Sequence, residues 1–93
     1  MREIEQTAAF RRDLKREAKG QKREFLARSF ARIVQTLAND EPLGPRHRDH
    51  PLIGEWKDQR DCHIRPDLIL IYRKPDDATL QLVRLGSHAE LSL

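Results

Sequence analysis

Four histidines in a 93-residue chain would say little if scattered, but His50, His63 and His88 fall where a β-meander would carry them to one rim. Imidazole titrates near neutrality, so one ring can take a proton while another gives one. His50 closes a loop just before the first meander strand. His63 lies near the end of that strand, beside a turn bearing Asp67, and His88 follows the last strand. A strand's end and the start of its antiparallel neighbour share an edge, so His63 and Asp67 can be neighbours. His88 joins them if the final strand runs to that rim. Two imidazoles flanking a phosphate supply the general base and general acid of phosphodiester cleavage. RNA suits them, because its 2′-hydroxyl is an internal nucleophile and no metal or other cofactor is required. A cation must then offset the charge building on the phosphorane, and Lys57, Arg60, Arg65 and Arg84 are the candidates.

Other residues read more simply. His47 stands in a charged run and is expected to be a solvated loop residue. His50, His63, His88 and Asp67 have the right chemistry for zinc, but no HxxxH or HxH spacing supports a metal. Cys62 has apolar neighbours and no base on its own parity, which describes a buried structural thiol. Tyr72 ends an apolar strand and should be core with its hydroxyl in water. Ser87 and Ser92 lack a G-x-S-x-G elbow around them, so they give little support to a serine hydrolase.

The elements that must position these residues follow from periodicity. Residues 2–7 alternate weakly and read as a strand with Ile4 its buried anchor. Thr7 looks like an N-cap, and Phe10, Leu14 and Ala18 recur every four residues on a first helix that stops at Gly20. Residues 22–38 carry a continuous 3.6-period face, from Phe25, Leu26 and Phe30 to Ile33, Val34, Leu37 and Ala38. The two helices should form an antiparallel hairpin. Residues 39–54 contain Pro42, Gly44, Pro45, Pro51 and Gly54 and read as irregular; a connection this long in a small domain is more often functional than idle. Residues 55–64 read as a strand with Trp56, Cys62 and Ile64 on one parity, so His63 should face away from Trp56. Residues 68–72 form an apolar run typical of a strand buried on both faces, and residues 79–85 return after a turn at 74–78. Ser87 is placed to cap a last turn starting at His88. The expected fold is α+β: a small antiparallel β-sheet with an N-terminal helical hairpin packed on one face.

Composition sets the outer bounds. At 93 residues, with 38% hydrophobic and 35% charged residues, residues 1–93 read as one domain, soluble and folded. No apolar run is long enough to span a membrane and the N-terminus lacks the apolar core of a secretion signal, so the cytoplasm is the expected compartment. A lone cysteine gives no internal disulfide. The net charge of +3 is unevenly spread: residues 1–38 carry ten Lys/Arg against five acids, residues 39–66 five against six, and residues 67–93 three against four. Such a basic front fits a polyanion or an acidic protein partner equally well.

Two segments resemble a known family. Residues 50–72 (HPLIGEWKDQRDCHIRPDLILIY) closely resemble the core of YafQ-type toxins, in the RelE-like branch of the RelE/ParE superfamily, and residues 84–91 (RLGSHAEL) look like that family's terminal R-x-G-[ST]-H-x-x-L signature. The helical front half is similar in layout rather than in residues. The resemblance implies the microbial ribonuclease fold and a ribosome-dependent messenger RNA endonuclease, the toxin of a type II toxin–antitoxin pair. It implies a hetero-oligomer with a small acidic, DNA-binding antitoxin and action on ribosome-bound message. It puts His50, His63, Asp67 and His88 on catalytic or substrate-binding positions, with His88 as proton donor. Leu68 and Ser92 stand where the family often has aromatics that contact RNA bases, so codon preference is not carried over. The rivals are a ParE-like poison of DNA gyrase, against which the retained His50, His63 and His88 argue, and an attenuated homologue that only binds its antitoxin.

Overall fold

Leu68, Leu70 and Tyr72 point to one face of the central strand and Ile69 and Ile71 to the other, and all five are 2% exposed or less. A strand of that kind needs cover on both sides, and the rest of the chain supplies it. The computed structural model describes residues 1–20 and 26–93, with the backbone alone for residues 26 and 27. Five strands lie in the order β1-β5-β4-β3-β2: β1 (Glu3–Gln6), β2 (His50–Pro51), β3 (Arg60–Arg65), β4 (Leu68–Arg73) and β5 (Thr79–Gly86). One face is covered by α1 (Ala8–Ala18) and α2 (Ala31–Ala38). Phe10, Ile33, Val34, Leu37 and Ala38 pack there on Cys62, Ile64, Leu80, Leu82 and Leu85. Phe10 is wholly buried, a burial that contributes roughly 1.5–3 kcal/mol. The other face carries α3 (His88–Leu91), whose Leu91 joins Ile69, Ile71, Leu52, Trp56 and Val83 in a smaller core.

Local chemistry explains the helices. The Thr7 hydroxyl accepts from the Phe10 N–H at 3.0 Å and donates to the Val83 carbonyl at 2.7 Å, so the cap that starts α1 also pins it to β5. α2 continues from a π-helical stretch, Leu26–Phe30, whose Phe30 ring stacks 5.9 Å from that of Phe10. The expected beginning of this helix at residue 22, and Phe25 with it, lie outside the described residues. Ser87 caps α3 as expected and forms a reciprocal box with Glu90: Glu90 N–H donates to Ser87 Oγ at 3.1 Å, and Ser87 N–H to Glu90 Oε1 at 2.8 Å.

Several expectations are corrected. The sheet is mixed rather than wholly antiparallel, because β1 runs parallel to β5, from Glu3 opposite Thr79 to Gln6 opposite Leu82. The two strands are separated by most of the chain, so no short hairpin forces them antiparallel. As an edge strand β1 is exposed throughout, and Ile4, expected to be buried, is 39% exposed. Residues 39–54 are not wholly irregular: they hold a 3₁₀ turn, Pro45–His47, and β2, with His50 opposite Asp61 and Pro51 opposite Arg60.

The first meander strand begins at Arg60, not at residue 55. Positive φ at Gly54 (71°) and Asp58 (70°) breaks the extended chain and leaves Gly54–Trp56 in a 3₁₀ turn. The parity argument for Trp56 fails with it. The indole packs with Ile69, Ile71 and Leu91, on the face that carries His63, which pairs with Ile69. A bulge where Ile71 opposes Arg84 and Tyr72 opposes Leu82 lets Leu82 and Leu85, three residues apart, share the helix side. Cys62 is the buried thiol expected, with burial pushing its pKa up. Tyr72 is core, but its hydroxyl is not in water; it donates to Asp49 Oδ1 at 2.6 Å.

Candidate active site

The rim of the sheet where β3 ends and α3 begins holds a cleft of about 690 Å³, lined by Ser29, Arg46, His47, Arg48, His63, Ile64, Arg65, Pro66 and His88. His63 is placed by β3, and His88 opens α3 two residues after β5 ends at Gly86. Because Ile69 opposes both His63 and Gly86, His63 and the end of the strand that leads into His88 flank β4 at the same level. Their ring centroids are 5.3 Å apart, edge to face at 63°.

Asp67, in the turn between β3 and β4, holds His88 twice. Its Oδ1 lies 2.9 Å from His88 Nδ1 and accepts the His88 backbone N–H at 3.1 Å. A carboxylate at Nδ1 fixes the proton there, which leaves Nε2 as the atom to meet a substrate. His63 sits in a different environment. Burial pushes its pKa below the ordinary value of 6.5, the charges of His88 and Arg48 push further, and Asp61 and the Pro66 backbone oppose them without prevailing. The neutral ring, able to accept a proton, is therefore favoured.

His50 is reached differently. It does not line the cleft, but its Nε2 lies 2.9 Å from Asp61 Oδ1 across the β2–β3 pair. His50 Nδ1 is 3.0 Å from the Pro51 carbonyl, which can only accept, so that nitrogen carries a proton. Asp61 is 4% exposed. Burial carries its pKa above the ordinary carboxylate value although His50, His63 and His88 all pull it down, so it is the electrostatic link between His50 and the cleft. Asp61 was not singled out in the sequence, although its signal was there: an acid two residues before His63 on the same strand face.

The expected cations divide sharply. Arg65 lines the cleft. Lys57 is exposed and outside the lining. Arg60 is held by Asp49, Nε to Oδ1 at 3.2 Å. Arg84 is committed to Asp13, with Nε 2.6 Å from Oδ2 and a second nitrogen 3.3 Å from Oδ1. Asp13 is 4% exposed and also accepts from the Leu85 N–H at 3.0 Å and from Arg16 at 3.1 Å. Burial alone would raise its pKa, but the Arg84 and Leu85 hydrogen bonds and the charges of Arg84 and Arg16 carry it below the usual carboxylate value. This ion cluster ties α1 to β5, and the place of Arg84 in it accounts for its charge without a substrate.

His47 is not a solvated loop residue. Arg46 Nε donates toward His47 Nε2 at 3.4 Å, so the other nitrogen carries the proton, and Nδ1 donates to the His63 carbonyl at 2.7 Å. The basic loop is thereby fastened to the strand that carries His63.

Comparisons with known proteins converge. Residues 2–93 match the family model for the bacterial toxin of the type II toxin–antitoxin system, YafQ. The chain is 40% identical over 91 residues to the mRNA interferase toxin YafQ of Escherichia coli K12, covering 97% of this chain and 95% of that one. Among solved structures, a metal-bound toxin from Helicobacter pylori shares 46% identity at a TM-score of 0.83, over 98% of this chain and 99% of that one. The toxin in the E. coli DinJ–YafQ complex shares 38% at 0.81, over 98% of each. Among the described residues no three His, Cys, Asp or Glu side chains are gathered to hold a metal ion. With the family's model spanning residues 2–93 and solved toxin structures of that kind matching over nearly the whole chain, the chain belongs to the YafQ family of bacterial toxins of type II toxin–antitoxin systems.

Proposed function

We propose that this toxin is an mRNA interferase, an endoribonuclease that inhibits translation by cutting message in the ribosomal decoding site, in the cytoplasm. His63 takes the proton of the 2′-hydroxyl, and the oxygen attacks the adjacent phosphorus. His88, backed by Asp67, protonates the departing 5′-oxygen through Nε2. The products are a 2′,3′-cyclic phosphate, or the 3′-phosphate formed from it, and a 5′-hydroxyl end. His50 belongs to the site through its 2.9 Å contact with Asp61 rather than by moving the reacting protons. Arg65 stands closest in role to the charge that the phosphorane needs. The observation that carries this reading is the pairing of one imidazole disposed to be neutral with another held by a carboxylate, 5.3 Å apart on one cleft wall.

The partner is a small acidic antitoxin, as the DinJ–YafQ complex of the E. coli relative suggests and as the basic stretch of residues 1–38 would favour. Purified protein added to a translating extract tests the reading. Cuts in ribosome-bound message with 5′-hydroxyl ends, abolished in His88→Gln, are expected. Intact message together with blocked gyrase supercoiling would replace this reading with the ParE-like one.

A further inference from the structure

The cations expected at the substrate from the sequence are largely taken: Arg60 by Asp49 and Arg84 by Asp13. The cleft has others. Its described lining holds three arginines, three histidines and no Asp or Glu. Arg46 and Arg48 meet no carboxylate among the described residues. Both belong to a loop that is fixed rather than trailing, since His47 between them is hydrogen-bonded to the His63 carbonyl at 2.7 Å.

We infer that Arg46 and Arg48 form a phosphate-binding subsite that grips the RNA backbone next to the scissile linkage. This deepens the proposed function and rests on it. A guanidinium offers a planar fork of donors that matches two phosphate oxygens. Among the described residues no carboxylate lines the cleft, and the one protein contact of the Arg46 guanidinium, Nε to His47 Nε2 at 3.4 Å, leaves its terminal nitrogens for phosphate oxygens. The His47 tether sets the spacing between these arginines and His63, so an RNA strand held by the loop presents its next phosphate to His63 and His88. Arg48 also bears on the chemistry, since its charge helps to keep His63 neutral.

The test is single-turnover cleavage of a defined message on programmed ribosomes, as a function of toxin and salt concentration. The variants are Arg46→Gln, Arg48→Gly and Arg48→Lys, with Arg73→Gln, an exposed arginine outside the cleft lining, as control. Arg48 has φ 45°, a left-handed conformation that glycine adopts freely, so Arg48→Gly should keep its melting temperature while losing the charge. For Arg46→Gln and Arg48→Gly the half-saturating toxin concentration should rise about tenfold. The slope of log affinity against log salt should shrink by about 0.7 per lost contact. The rate at saturation should stay within about twofold for Arg46→Gln. Arg48→Lys should recover the salt slope. A neutral methylphosphonate at the gripped linkage should weaken wild-type binding and leave the matching variant unchanged.

If message is cut but the arginine variants behave like Arg73→Gln, the subsite is wrong and the proposed function stands. If wild-type protein leaves message intact, or His88→Gln cuts as well as wild type, the functional reading fails and the subsite with it.

Discussion

Asp67 Oδ1 accepts from both the backbone N–H and the imidazole of His88, at 3.1 and 2.9 Å. One oxygen thus locates the first residue of α3 and sets the tautomer of its ring. The helix start and the proton donor are positioned by the same group, so moving one should move the other.

Asp67→Asn tests that coupling. The amide can still accept at Oδ1, so α3 should remain in place, while the negative charge beside the imidazole is lost. Cleavage should fall about 10- to 100-fold, less than the roughly 10²–10⁴-fold expected for His88→Gln. Asp67 is largely exposed, so the melting temperature should hardly change. Single-turnover rates beside thermal melts separate the two effects.

The pH profile should be governed on its acid side by His63, which must be neutral to act as base. Its pKa lies below 6.5, so activity should persist below that pH and then fall; with coupled imidazoles the measured limb belongs to the pair. Asp61 pulls the His63 value upward, so Asp61→Asn should move the acid limb to still lower pH. Stability follows the same sign: the unfolded chain takes up the His63 proton first, so this group costs folding free energy as pH drops from 6.5 through the folded value. Rates and urea melts between pH 4 and 8 give both readings.

Asp13→Ala should be among the most damaging surface-distant changes, because it leaves the Arg84 charge beside a buried space with its partner gone. A loss of roughly 3 kcal/mol is expected. In the unmodified protein the contribution of Asp13, whose pKa is lowered in the fold, is present above pH 3.8 and lost as pH falls through the folded value. Urea unfolding of both proteins at pH 7 and at pH 3 should therefore show the gap between them narrowing in acid.

Gly86 lies where β5 meets α3, and a Cβ there would come within 3.1 Å of both Arg16 Nη2 and Glu90 Oε1 and 3.3 Å of Glu90 Cβ. Arg16 in turn reaches the Leu85 carbonyl at 2.9 Å and Glu90 at 3.2 Å. Gly86→Ala should cost about 1–2 kcal/mol by overpacking. It should also reduce cleavage further than that loss explains, because the shift passes to the helix that begins with His88. Comparing activity with melting temperature at several temperatures would show the excess.

Much of this molecule was legible from its residues in order. The Thr7 and Ser87 caps, the doubly buried strand at residues 68–72 and the clustering of His63, Asp67 and His88 depend on contacts close along the chain or on the forced adjacency of a meander, and local chemistry suffices for those. Other features were decided only when distant segments met. Arg84 read as a substrate cation until Asp13, 71 positions away, claimed it. Trp56 read as the partner of Ile64 until Gly54 and Asp58 turned the chain and sent the indole to the opposite face. His47 read as solvated until the His63 carbonyl gave it a bond. A residue's type and periodicity set what it can offer, whereas which partner satisfies a charge or a hydrogen-bonding group depends on which segments the core packs together, and that is settled by tertiary structure.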